Sequence, residues 1–202
     1  MRIRSLLLAL PLLPALAWTH VSAEADPIES LAPEQQVFWQ KLGSMCGQAF
    51  AGKVEDVTAF YHDALTGREL VAHGVECSSE RIHIALHVDD DRSRNWILTI
   101  VEGTIRLKHD HRHRDGSEED ISQYGGDAPV PGLARRQIFP ADARTANILP
   151  DRADNFWFMD FVDEDRFEYG VHWPLHGHSV RLSFDLSQSI EAPPLPWGYE
   201  SQ

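Results

Sequence analysis

The sequence predicts a mostly β domain: an antiparallel meander forming a barrel-like or strongly curved sheet, with a short N-terminal helix. Three observations predict it. Several runs alternate apolar and polar residues at the period of a strand with one buried face, RIHIALHV (Arg81 to Val88) most clearly. The connections between runs are short and rich in turn residues. One segment, PEQQVFWQKL from Pro33, has helical character instead, with Pro33 suited to a first turn and Gly43 to a stop.

The chain opens with Arg2 and Arg4, an apolar core from Leu6 to Trp18, and the triplet Val21-Ser22-Ala23. That is the layout of a cleavable export signal over residues 1–23. Pro11 and Pro14 interrupt the apolar run, which is shorter than the ~20 residues a spanning helix needs. Cleavage is expected after Ala23 or two residues later. The first cysteine, Cys46, lies too far from the apolar core to take a lipoprotein's lipid. The mature chain is expected to be soluble, and periplasmic or secreted.

Residues 24–32 are acidic and proline-flanked and read as a flexible leader; residues 33–202 then form a single β-rich domain. In the helix, Val37, Phe38 and Leu42 share a face with Trp39 beside them, so it packs on the body. Strand faces follow. Val71, His73, Val75 and Cys77 form one; Ile82, Ile84, Leu86 and Val88 the next; then Trp96, Leu98 and Ile100. Later come Phe167, Tyr169, Val171 and Trp173, and finally Val180, Leu182, Phe184 and Leu186. Ser78-Ser79, Glu102-Gly103 and Asp163-Glu164-Asp165 supply turns. Strands that each bury one face must pair two sheets or close on themselves. The polar segment from Arg114 to Asn155, with Gly125-Gly126 and several prolines, interrupts the meander and reads as a long functional loop. The ending EAPPLPWG reads as an extended strap over the body.

Two cysteines, Cys46 and Cys77, occur in the chain. In an oxidising compartment the isolated pair predicts a disulfide worth roughly 3 to 4 kcal/mol, with buried free thiols as the alternative. Their spacing is not CxxC, which argues against redox catalysis and a thiolate zinc site. The net charge is -13, and loss of Arg2 and Arg4 with the signal takes it to -15. Such a surface repels phosphate backbones and anionic headgroups, so nucleic acid and membranes are poor partners, and it favours a soluble monomer. Cationic ligands and metal ions remain.

The run TIRLKHDHRHRDGSEED from Thr104 carries the most chemistry. Strand alternation puts Ile105, Leu107, His109, His111 and His113 on one face, so a greasy stripe becomes an imidazole stripe. Lys108, Asp110, Arg112 and Arg114 take the other side, toward solvent and flanking acids. Alternate residues are some 6.5 Å apart, so two imidazoles can approach one ion together with a third ligand. Completing groups include Asp115, Glu118, Asp120 and Asp127, or His172, His176 and His178. Zinc, copper or nickel suits imidazole best. The plainer reading is that these histidines hydrogen-bond their charged neighbours and fix the long loop. Tyr124, Asp127 and Trp173 join the three histidines as candidate ligand-binding residues.

Hydrolase, zincin, dinucleotide-binding and c-type haem motifs are absent. Asp89-Asp90-Asp91 lacks the glycine of a calcium loop. Asp110 and Asp115 as a glycosidase-like pair are expected by chance in so acidic a chain.

SMCGQAFAGKV, VDDDRSRNWILT, LKHDHRHRDGS, QYGGD, RQIFPAD and PPLPWG together resemble a family of uncharacterised exported bacterial proteins. The resemblance spans nearly the whole mature chain and implies a bacterial, periplasmic protein, with no catalytic residues to carry over. The helix followed by a Gly-x-x-Phe-x-Gly strand also resembles the start of lipocalin-like barrels, an analogy of fold alone.

Three functions fit these readings. The first is a periplasmic binding module that takes a small molecule or metal ion at a barrel interior or mouth lined by aromatic residues and the histidine face. The second is a metal-dependent enzyme using His109, His111 and His113. The third is an envelope-interaction protein presenting Trp157, Trp173 and Trp197 to a partner.

Overall fold

A computed structural model describes residues 26–200; the export signal read at residues 1–23 lies outside them. Asp26 accepts the Ile28 N–H at 3.0 Å and caps a 3-10 turn over Pro27–Ser30, and Leu31 behind it is buried. Within the segment read as a leader, residues 26–32 thus hold a 3-10 turn followed by a buried leucine. Helix α1 (Pro33–Gly43) follows, with Pro33 in its first turn, where a missing N–H costs nothing. It buries Phe38, Trp39 and Leu42 as expected, while Val37 stays exposed.

Ten strands follow: β1 (Ala49–Val57), β2 (Leu70–Cys77), β3 (Arg81–Val88), β4 (Asp91–Val101), β5 (Thr104–His111), β6 (Tyr124–Asp127), β7 (Arg136–Pro140), β8 (Phe156–Phe161), β9 (Arg166–Trp173) and β10 (His178–Asp185). They form one antiparallel sheet in the order β6-β5-β4-β3-β2-β1-β10-β9-β8-β7. Each strand pairs with its neighbour in sequence except at β6 and β7, which are the two edges, and β1 also pairs with β10, Gly52 opposite Phe184 and Val57 opposite Val180. The edges β6 and β7 come together, which makes the sheet a nearly closed barrel. Helices α2 (Ala59–Leu65) and α3 (Ala143–Ile148) lie in the β1–β2 and β7–β8 connections.

The alternation read from the sequence is the inside-outside alternation of this barrel. Ile82 and Ile84, Trp96 and Leu98, Phe167 and Tyr169, and Leu182 and Phe184 all enter one buried core. At the β4–β5 turn, Glu102 and Gly103 take φ of 50° and 77°, the left-handed conformation that matches a two-residue hairpin to strand twist. On β2 the expected face breaks. A register shift between Gly74 and Glu76 puts Cys77 opposite Ile82 and against the core, whereas Val71 pairs outward beside His87. Cys77 is bonded there to Cys46, with Cα atoms 6.1 Å apart, which ties the exit of α1 to the end of β2.

The barrel is sealed along the β6–β7 seam by side chains instead of a ladder. Gly125 has φ 145°, and a Cβ there would lie 2.0 Å from the Leu107 carbonyl oxygen; a Cβ on Gly126 would lie 1.7 Å from that of Pro140. Gly126 thus lets the edges of β6 and β7 meet, while Gly125 lets β6 pack close on β5. Thr145 of α3 then covers the free edge of β6: its hydroxyl accepts the Gly125 N–H at 2.8 Å and sits 2.8 Å from the Gly125 carbonyl. The Asp142 N–H reaches the same carbonyl at 2.9 Å. At the other end, the fully buried Gln35 of α1 donates to Thr104 of β5 at 3.1 Å and to Gln137 of β7 at 3.4 Å. The segment from Arg114 to Asn155 is thus not one long loop, since it holds β6, β7 and α3.

Thr145→Val keeps the shape of the side chain and removes the hydroxyl. It is expected to strand the Gly125 N–H and lower unfolding free energy by about 1 to 3 kcal/mol in urea titrations. Thr66→Val, at an exposed position, is expected to stay within about 0.5 kcal/mol.

Candidate functional site

The β5 histidines divide at the strand end. His109 and His111 continue inward after Ile105 and Leu107, but β5 stops at His111. Asp115 accepts the Ser117 N–H at 3.0 Å and its hydroxyl at 2.6 Å, Gly116 takes φ 87°, and the chain turns back. His113 lies exposed on that turn. The imidazole stripe is two residues long, not three. Local side-chain capping by Asp115 outcompetes extension of the strand.

Both inward imidazoles are engaged. The Tyr124 carbonyl can only accept, so His109 donates from Nδ1 to it at 3.2 Å and receives the Tyr169 hydroxyl on Nε2 at 2.7 Å. Its ring stacks on Tyr124 at 4.3 Å, and Trp96 stacks on Tyr169 at 4.2 Å, so aromatic rings fill this level of the interior. Burial holds His109 down to about 3 and keeps it neutral. His111 Nε2 meets the Tyr124 hydroxyl at 3.1 Å, and its Nδ1 lies 3.8 Å from the Glu119 carboxylate. Burial first, and then the Arg94 charge, hold His111 at about 4.

The remaining sequence candidates separate. Asp115 is exposed and spent on Ser117. Asp127 is held by both oxygens to Arg106, at 2.6 and 2.9 Å. Among the described residues, no three His, Cys, Asp or Glu side chains converge with metal-binding geometry, so His109, His111, His113 and Asp115 do not form the expected metal set. Asp110 is buried rather than solvated, and takes Arg112, Ser122, Gln123 and the Tyr199 hydroxyl. Trp157 and Trp173 are buried, so the expected tryptophan surface is not there.

Trp173 instead belongs to a cleft at the barrel mouth. Its ring stacks on Tyr61 of α2 at 5.1 Å, and the Arg152 guanidinium lies over both rings, 5.9 Å from Tyr61 and 5.7 Å from Trp173. Arg152 also donates to the Tyr61 hydroxyl at 2.8 Å. A cleft of about 220 Å³ opens here, lined by Asp151, Arg152, Trp173, His176 and His178.

The pairing of basic residues singles out Arg152. Among the described residues every Lys and Arg makes an ion pair with a carboxylate, except Arg114, Arg144 and Arg152. Arg114 and Arg144 project into water; Arg152 is half-buried. In so acidic a chain, a half-buried guanidinium held by rings and a hydroxyl has unspent capacity for an anion. Arg152 and Tyr61 escaped the sequence reading, because the distinguishing property of Arg152, that no described carboxylate lies within ion-pair distance of it, is a property of the folded chain. Trp173, His176 and His178 were among the candidates and do come together.

No protein-family model, curated protein or solved structure matches the chain. Fold and site therefore define it only as a nearly closed antiparallel barrel with a cationic aromatic cleft at its mouth.

His83, whose Nε2 donates to Asn95 at 2.7 Å, is likewise buried and held at about 4, with burial the leading cause. For His83, His109 and His111 the folded pKa lies below the ordinary 6.5, so the unfolded chain takes up protons first as pH falls. Their stabilising share is complete above pH 6.5 and declines toward pH 4. Between pH 7 and 5 each is expected to remove about 2 kcal/mol of unfolding free energy. Urea midpoints measured across that window check this, and His111→Asn is expected to flatten the profile by one such share.

Proposed function

We propose that this chain is a small-ligand-binding barrel that works outside the cytoplasm and holds its ligand at the mouth. The ligand class is a small organic molecule with a carboxylate or phosphate group. Its anion pairs with Arg152, and its body occupies the cleft that Trp173 borders, with His176 and His178 as further polar contacts. The observation that carries the reading is the half-buried Arg152, held over Tyr61 and Trp173 without a carboxylate partner. Removal of the ligand from water in the cleft adds affinity, and a charge-assisted pair sets orientation. The location rests on the residues 1–23 reading, with support from the Cys46–Cys77 disulfide, since such bonds persist in oxidising compartments.

The test is a titration with benzoate, aliphatic carboxylates and inorganic phosphate, followed through the Trp173 indole and Arg152 side-chain NMR signals. Arg152→Ala is expected to weaken binding about 10- to 100-fold, the worth of one hydrogen bond to a charged group. Arg144→Ala is expected to leave it unchanged. Equal binding by the Arg152 variant would overturn the assignment.

A further inference from the structure

A second histidine group lies on the outer face of the sheet. The β2–β3 register sets Val71 opposite His87 and His73 opposite Ala85, so His73 and His87 are diagonal neighbours. Across β1, the residue opposite His73 is Ala49. Small side chains therefore flank the His73 ring on both neighbouring strands. The two ring centres are 6.1 Å apart.

Both histidines are buried, with 7% and 3% of their surface exposed. The C-terminal strap is anchored on either side of them. The Ile190 N–H donates to the Ala49 carbonyl at 2.8 Å, and further on Arg92 donates to the Leu195 carbonyl at 2.7 Å and accepts the Trp197 N–H at 3.2 Å on its own carbonyl. Between those anchors the strap crosses β2 and β3. His73 Nδ1 and His87 Nε2 are shut away from solvent with no hydrogen-bond partner among the described residues. Leaving one such group unmade costs about 1 to 3 kcal/mol, and two of them on neighbouring rings, on nitrogens that are ordinary metal ligands, call for an occupant.

We propose that His73 and His87 form a two-nitrogen site for a monovalent soft cation of the copper(I) class. Two imidazole nitrogens each about 2.0 Å from a shared ion put their ring centres on the order of 6 Å apart, which is the span between these rings. Zinc(II) calls for four ligands, and no third His, Cys, Asp or Glu side chain joins the pair among the described residues. A single positive charge costs less to bury than a double one. Both rings are kept neutral by burial, the state in which imidazole binds metal. The strap then shields the ion from water and from competing ligands.

Silver(I) nitrate, a redox-inert probe of the same coordination preference, tests the site in the full chain in chloride-free buffer. Imidazole nitrogen NMR is expected to show one equivalent of silver shifting His73 and His87, with a rise in melting temperature. His73→Ala and His87→Ala are each expected to weaken silver binding more than about 100-fold, beyond the loss caused by removing an outer-shell partner. His113→Ala is expected to leave it unchanged. Should an alanine variant fail to fold, His73→Phe and His87→Leu retain the bulk, and the shifts of the unaltered chain still decide. Silver that moves only other histidines, binding that survives both substitutions, or zinc(II) held by this pair as tightly as silver would overturn the proposal.

Discussion

Closure of the β6–β7 seam is the constraint on which the rest of the molecule depends. A ten-stranded sheet with two bare edges would leave rows of unpaired N–H and C=O groups, and each buried one is costly. Here the two short edge strands meet closely at Gly126, and their gaps are filled by the Thr145 hydroxyl at one end and the Gln35 amide at the other. Both fillers come from helices. The helices therefore do more than cover the barrel ends: they complete its hydrogen bonding. The cross-section they set brings Trp96, Tyr169, His109 and Tyr124 into stacking contact.

Electrostatics follow from that packed interior. The barrel admits His109 and His111 only as neutral rings hydrogen-bonded to tyrosines, and Asp110, on the opposite side of the same strand, is admitted only with Arg112, Ser122 and Tyr199 around it. Carboxylates outnumber cations in the chain, so nearly every described lysine and arginine is claimed by an acid. Against that background a single half-buried guanidinium over two rings is the exception, and it stands at the open end of the barrel.

What could be read from the sequence followed from regular burial. RIHIALHV, the WILTI run and the last two strands alternate because each has one face in the core, and that pattern survives without knowledge of partners. The four residues of β6 and five of β7 are too short to show a period, and their pairing is fixed by Thr145 and Gln35, far away in sequence. YGGD registers only as glycine-rich; its requirement, close approach to two carbonyls, is a property of the assembled edge. On β5 the signal that ended the strand was present as Asp115-Gly116-Ser117, and the histidine alternation masked it. The mouth cleft draws on α2, the turn after α3 and the β9–β10 turn, three segments that no local pattern connects.

The pairing of β1 with β10 makes the first and last strands of the chain neighbours, while the single break in the ladder falls between two strands consecutive in sequence. The barrel is thus a pair of meanders, β1 to β6 and β7 to β10, joined by one ladder that bridges about 130 residues. Loop-closure entropy and slow long-range contact formation are concentrated in that one junction. A circular permutant whose old ends are linked and whose new ends lie between residues 128 and 135 would start at β7 and finish at β6. Every ladder would then join sequence neighbours, and the seam would coincide with the gap between the new termini.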